Sequence, residues 1–170
     1  LVLEKLKGLH LAPSPPATDL EFLRRVYLDA MGILPTQREA LAFVASSEPT
    51  KREKLLDEIL EREEFVDYWT YKLSDLLLLN SRKIKGESLT TFYEFLRRSV
   101  AENRPWNEVV REIVTAKGSS YEDGAAGYYA LHRDPIDASE TTSQAFLGLS
   151  ITCARCHNHP MEKWTQDQYY

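Results

Sequence analysis

A chain of 170 residues, 43% hydrophobic and 28% charged, is long enough to bury a real core and too apolar to stay disordered. Its net charge of −5 gives no electrostatic support for a nucleic-acid partner. The longest strongly apolar run, Leu76 to Leu79, is far too short to span a bilayer.

Nearly everything up to residue 117 reads as helix. Leu1 to Leu9 is a short amphipathic piece, broken by the stiff linker Pro13-Ser14-Pro15-Pro16. Thr18 or Asp19 caps a helix to about Met31, with Leu20, Leu23, Val26, Tyr27 and Met31 at helical spacing. Gly32 ends it and Pro35 follows as a stop. Two capping boxes come next: Thr36 with Glu39 opens a helix through Val44, and Thr50 with Glu53 opens another through about Arg62. After a turn at Glu63 and Glu64, residues 65–79 present a broad apolar face of Phe65, Tyr68, Trp69, Leu73, Leu76 and Leu77. Residues 80–87 are polar and basic and read as a loop. A helix over 88–102 follows, carrying Leu89, Phe92, Phe95, Leu96 and Val100 on one side, and Arg104-Pro105 breaks it. Asn107 caps a further helix with Val109, Val110, Ile113 and Val114, stopped by Gly118.

Residues 118–137 interrupt this rhythm. The stretch holds three of the seven glycines together with Tyr121, Tyr128 and Tyr129, and reads as a long loop, either functional or simply mobile. A last helix runs from about Asp137 or Ser139 to Leu147, and Gly148 ends or bends it. Thr165 is the N-cap of a helix that begins at Gln166. No strand pattern appears, so the expected fold is all-α: a bundle of short helices in one domain over residues 1–170, with the long loop before the C-terminal motif. The chain starts without methionine and stops inside a helix. It therefore reads as a segment of a longer modular protein, and the lack of a signal peptide is uninformative about location.

The chemistry concentrates in Cys153-Ala154-Arg155-Cys156-His157, the CxxCH pattern of c-type haem attachment. Two thiols can add across the two vinyl groups of haem, and the adjacent histidine can bind the iron. These are the only cysteines, so the motif consumes both. The expected cofactor is one covalent haem c on Cys153, Cys156 and His157, with His157 as proximal ligand. The opposite face is open to several candidates. Met161 and His159 lie too close to His157 in sequence to reach it easily. His159 suits a supporting role, bonding a propionate or fixing the local turn. His132, in the long loop, is the better candidate distal ligand, and His10 reads as a surface residue.

Alternatives stay open at this stage. Cys153, Cys156, His157 and His159 could hold zinc, although structural zinc usually draws ligand pairs from separated segments and no second pair exists. A Cys153–Cys156 disulfide is the other alternative, without a βαβ context to support thioredoxin-like chemistry. No serine-hydrolase elbow, Walker loop or zinc-protease motif is present, so no independent enzyme activity is assigned. Peroxidase-like chemistry would require an open sixth position. The carboxylates Glu61, Glu63 and Glu64 read as a solvated helix face.

Several ordered pieces resemble one family. Arg24 to Asp29 with Gly32 and Leu34-Pro35-Thr36 is similar to its opening. Arg133-Asp134-Pro135, Glu140-Thr141-Thr142 and Phe146-Leu147-Gly148 are similar to its run into the haem motif. The motif itself, with Asn158-His159-Pro160 and Trp164 to Asp167, resembles its signature. This is the planctomycete-specific cytochrome domain of the second type. The resemblance, from about Leu9 to the end, implies haem c on Cys153, Cys156 and His157 and a periplasmic or otherwise extracytoplasmic bacterial location. It also implies further domains in the same chain but no known reaction; the haem reading itself points to electron transfer or the redox module of a larger extracytoplasmic enzyme, with an unknown redox partner. Met161 departs from the family's usual phenylalanine, and the family fixes no histidine at position 132. The competing expectation is a structural or binding module of a secreted, polysaccharide-processing enzyme, with the motif as a disulfide or metal staple.

Overall fold

All 170 residues are described in a computed structural model. They form ten α-helices, one π turn and one 3-10 turn, and no strands, as an all-α chain should. The contacts divide the chain into two compact units, Leu1–Phe65 and Val66–Tyr170.

In the first unit, α1 (Val2–Gly8) buries none of its residues. α2 (Asp19–Met31) starts with a capping box. Thr18 Oγ1 accepts the Glu21 N–H, and the Glu21 carboxylate accepts the Thr18 N–H at 2.8 Å. It ends at Gly32, whose φ of 67° is the left-handed conformation that glycine adopts without Cβ strain. α3 (Gln37–Ala45) repeats the device with Thr36 and Glu39. α4 (Lys51–Leu60) does not. Thr50 sits at φ −99°, ψ 13° instead of the extended conformation an N-cap needs, and its hydroxyl bonds the Glu48 carboxylate. The expected Thr50–Glu53 box is absent because the chain enters α4 through a tight turn, with Lys51 N bonding Glu48 O. Leu23, Tyr27 and Met31 of α2 meet Phe43 of α3 and Leu55 and Ile59 of α4 in one apolar cluster. Leu20 was expected on that face but lies 56% exposed. Asp19 at the start of α2 pairs with Lys51 and Arg52 of α4, at 2.6 and 2.8 Å.

Arg62, just after α4, bonds Glu39 at 2.8 Å and the Tyr27 hydroxyl at 3.2 Å, and pairs with Glu64. Glu64 is therefore an ion-pair partner and not merely solvated. Thr36 chiefly, with help from Arg62, holds the Glu39 carboxyl down at about 2 against the opposing cost of burial.

α5 (Glu63–Leu76) stops three residues before its expected end. Leu79 N bonds Ser74 O at 2.8 Å, closing a six-residue ring across Leu78 at φ 60°. This is Schellman-type closure with leucine where glycine is usual, a strained choice costing about 1 kcal/mol. Thr70 and Leu77 face inward, whereas Trp69 and Leu76, expected on the apolar face, are 40% and 45% exposed.

The second core gathers Leu77 and Ile84, then Phe92, Phe95 and Leu96 of α6 (Glu87–Ala101). Val109 and Ile113 of α7 (Trp106–Thr115) join it, with Ala125, Tyr128 and Leu131. Pro105, not Asn107, is the N-cap of α7, and no side chain caps that end. The stretch over 118–137 is not a loose strap, because it contains α8 (Gly127–Leu131) with Tyr128 fully buried. Its glycines serve close approach rather than flexibility. A Cβ on Gly124 would lie 2.6 Å from Phe95 Cβ, and one on Gly127 would lie 2.6 Å from Phe92 Cβ. α8 thus packs directly against the aromatic ridge of α6. The Tyr128 hydroxyl then reaches Thr142 Oγ1 at 2.9 Å and ties α8 to α9 (Pro135–Thr142), the helix that leads into the cysteine motif.

Candidate functional site

The motif is delivered by a short relay of local structures. Asp134 caps α9, accepting the N–H groups of Ile136 at 2.7 Å and Asp137 at 3.3 Å, and Pro135 fits the first helical position. The helix widens into a π turn over Ser143–Leu147. Gly148, at φ 65°, then reverses the chain. A 3-10 turn over Thr152–Arg155 follows. Cys153 lies within it, and Cys156 follows as its C-cap with its N–H turned back toward the Cys153 carbonyl. Both are exposed free thiols, while Ala154 between them is completely buried and anchors the turn. The N–H groups of Cys156 and His157 both lie 3.4 Å from the Cys153 carbonyl, so the turn is tightly wound.

His157 is exposed, with Nδ1 2.7 Å from the Asn158 carbonyl. A carbonyl can only accept, so Nδ1 carries the proton and Nε2 keeps a free lone pair. That is the arrangement a metal-binding imidazole needs, since the bond at one nitrogen fixes ring and tautomer for the other. Asn158 is itself held, its Oδ1 accepting the Gln166 N–H at 3.0 Å. His159 has turned the other way. Its Nδ1 accepts the N–H groups of Met161 at 3.2 Å and Glu162 at 2.9 Å, and its own N–H reaches Trp164 O at 2.8 Å. The ring organises the loop that follows the motif. Met161 is 87% exposed.

α10 (Gln166–Tyr169) clasps the motif from behind, started by a capping box of Thr165 and Gln168. Gln166 Nε2 and the Tyr170 hydroxyl both donate to Arg155 O, at 3.1 and 3.3 Å. Tyr169 donates to Glu140 Oε1 at 2.5 Å, joining α10 to α9, and its phenol is pushed up to about 12 by burial and by that carboxylate. A mostly apolar groove of about 340 Å³ lies behind the turn, lined by Tyr129, Thr142, Leu147, Ile151, Ala154 and Trp164 among others. The Gln166 and Tyr169 clasps carry no sequence signal of their own. Only Thr165, read as the N-cap of a helix starting at Gln166, hinted that this end was ordered.

Cys153, Cys156, His157 and His159 therefore form one local group. His132 does not join it. It sits at the end of α8, 3% exposed, with Nε2 3.0 Å from Leu77 O and its ring 4.7 Å from that of Tyr128. Leu77 O is a carbonyl left over by the early stop of α5, and the His132 Nε2–H caps it. Nδ1 is buried without a partner, and burial holds the imidazole below its ordinary pKa, in the neutral form. His10 lies exposed beyond α1, at φ 53°.

No three His, Cys, Asp or Glu side chains converge to hold a metal ion, so the zinc alternative lacks its ligand set. The residues present do fit haem, which asks for two accessible thiols at one turn and one imidazole with a free nitrogen.

The family PSCyt2, described as a protein of unknown function (DUF1549), matches over residues 1–170. The chain belongs to that family. No curated protein and no solved structure matches it. Within PSCyt2, then, this member holds two free, exposed thiols three residues apart with an imidazole beside them.

Proposed function

We propose that this segment carries one covalent haem c and serves in extracytoplasmic electron transfer, as a redox module of a larger protein. The observation that supports the reading best is the turn itself: Cys153 and Cys156 both free and exposed, followed by His157 with Nδ1 engaged and Nε2 free. Cys153 and Cys156 would hold the group as thioethers, each S–H adding across one vinyl C=C so that the sulfur takes one carbon and the hydrogen the other, with no net oxidation. When bound, haem supplies a one-electron iron couple. The chain's own part is to present the thiols, orient His157 through Asn158 and hold the turn rigid through Ala154 and Gln166. The extracytoplasmic location follows from this reading, because thioether formation takes place outside the bacterial cytoplasm.

His132 is left out of the proposed ligand set. To reach iron it would have to abandon the Leu77 carbonyl and leave the core. His157 is then the one side chain of this segment that would hold the iron.

The direct test is a pyridine haemochrome spectrum and a denaturing gel on protein made with a cytochrome maturation system. A haem band that survives denaturation, and disappears in the Cys153→Ser, Cys156→Ser double variant, is expected. Colourless protein with a slowly reducible Cys153–Cys156 disulfide would overturn the reading in favour of a staple. Fast carbon monoxide binding to the reduced protein would mark an open sixth position and bring peroxidase-like catalysis into play.

A further inference from the structure

The basic stretch over 80–87 has no part in the haem reading, yet it forms one wall of a built cavity. That cavity, about 260 Å³ and several times the space one water needs, lies at the amino end of α6. Lys83, Lys85, Ser88, Ser120, Tyr121 and Arg133 line it with Ile84 and Ala130. Three cations converge there and no carboxylate lines it, in a chain whose net charge is −5. Lys83 has only a long contact of 3.6 Å to Asp137, with both side chains about half exposed. A pair of that kind is worth little. Lys85 and Arg133 have no ion-pair partner. Arg133 Nε donates to Ala130 O at 3.2 Å, which steadies the guanidinium and leaves its two terminal NH₂ groups free.

Three further donors lie at this end of α6, two of them on the lining residues Ser88 and Ser120. Gly86 gives α6 no side-chain cap, and the N–H groups of Glu87 and Ser88 donate to no protein acceptor. Ser88, only 5% exposed, donates through Oγ to Ser120 Oγ at 2.7 Å, so the Ser120 hydroxyl proton is left undonated. The wall is preformed. Ile84, 4% exposed, anchors the chain between the two lysines, and Asn80 Oδ1 accepts the N–H groups of Arg82 at 3.2 Å and Lys83 at 3.1 Å.

We propose that this cavity binds a tetrahedral oxyanion, phosphate or sulfate, either free or as a monoester. A guanidinium fork, two ammonium groups, a hydroxyl and helix N–H groups approach from different sides. That suits four oxygens better than a flat carboxylate. A concave site of this size in an acidic chain does not fit an extended polyanion. The proposal stands independently of haem.

The test is titration of the chain with sodium sulfate, inorganic phosphate and phenyl phosphate at constant ionic strength, read by amide chemical shifts. Saturable shifts at Glu87, Ser88 and Ser120 are expected. Lys85→Gln and Arg133→Gln should each weaken binding about tenfold, as loss of one charge-assisted hydrogen bond does. Lys72→Gln, a surface control on α5, should not change it. Both replaced residues are exposed, so the variants keep the fold. Monoester binding as tight as phosphate assigns the site to an esterified group, and exclusion of the monoester assigns it to the free ion. Shifts that never saturate and that chloride reproduces, or an Arg133→Gln variant that binds as tightly as the native chain, would overturn the proposal.

Discussion

Gly127→Ala should destabilise the protein, although a sequence argument gives the opposite sign. Gly127 opens α8 and is not in the left-handed region, so alanine there should add helix propensity, roughly 1 kcal/mol, and reduce unfolded-state entropy. The tertiary contact outweighs this. The new Cβ would stand 2.6 Å from Phe92 Cβ and 2.9 Å from Phe92 Cγ, well inside contact distance. Phe92 is fully buried in the second core and has nowhere to swing. Overpacking of such a site costs about 1–3 kcal/mol. The net loss should be up to about 2 kcal/mol once the propensity gain is subtracted. Urea denaturation would show a lowered midpoint at unchanged slope. Gly8→Ala, which meets nothing within 4 Å, should be neutral or mildly stabilising. A Gly127→Ala, Phe92→Leu double variant should lose less than the two single losses summed, because the smaller side chain relieves the clash. Gly127→Ala protein as stable as the native chain would refute the close-approach reading of this stretch.

Three other outcomes can be checked. His132 is held neutral below its ordinary value of 6.5, so the unfolded chain takes up a proton the native one refuses; its contribution is complete above 6.5 and declines as pH falls toward its folded value. The urea midpoint should therefore drop between pH 7.5 and 5.5, and His132→Gln should flatten that dependence. Glu39 works in the acid range: its stabilisation is full above its unfolded value of 4.5 and is lost as pH falls toward about 2. Glu39→Gln should cost about 1 kcal/mol at neutral pH by weakening the Thr36 cap and the Arg62 bond, as thermal melts would report. His159→Ala should leave the haem spectrum of loaded protein unchanged and speed amide exchange at Met161 and Glu162, whose N–H groups lose their acceptor.

What could be read from the chain alone was whatever depends on near neighbours in sequence. Thr18, Thr36 and Thr165 each start a helix because a hydroxyl and the backbone N–H three residues on are joined locally. Gly32 and Gly148 end elements because their own φ is positive. The i, i+3 spacing of Cys153 and Cys156, with His157 beside them, placed the candidate site for the same reason. Tertiary structure decided the rest. The glycines and tyrosines over 118–137 looked like a loose loop because nothing local says that Gly124 and Gly127 will meet Phe95 and Phe92. His132 looked free to reach a ligand because its partner, the Leu77 carbonyl, lies 55 residues earlier and becomes available only where α5 stops short. A lone histidine and a glycine-rich stretch carry no mark of long-range contacts, and those contacts turned both into parts of the core.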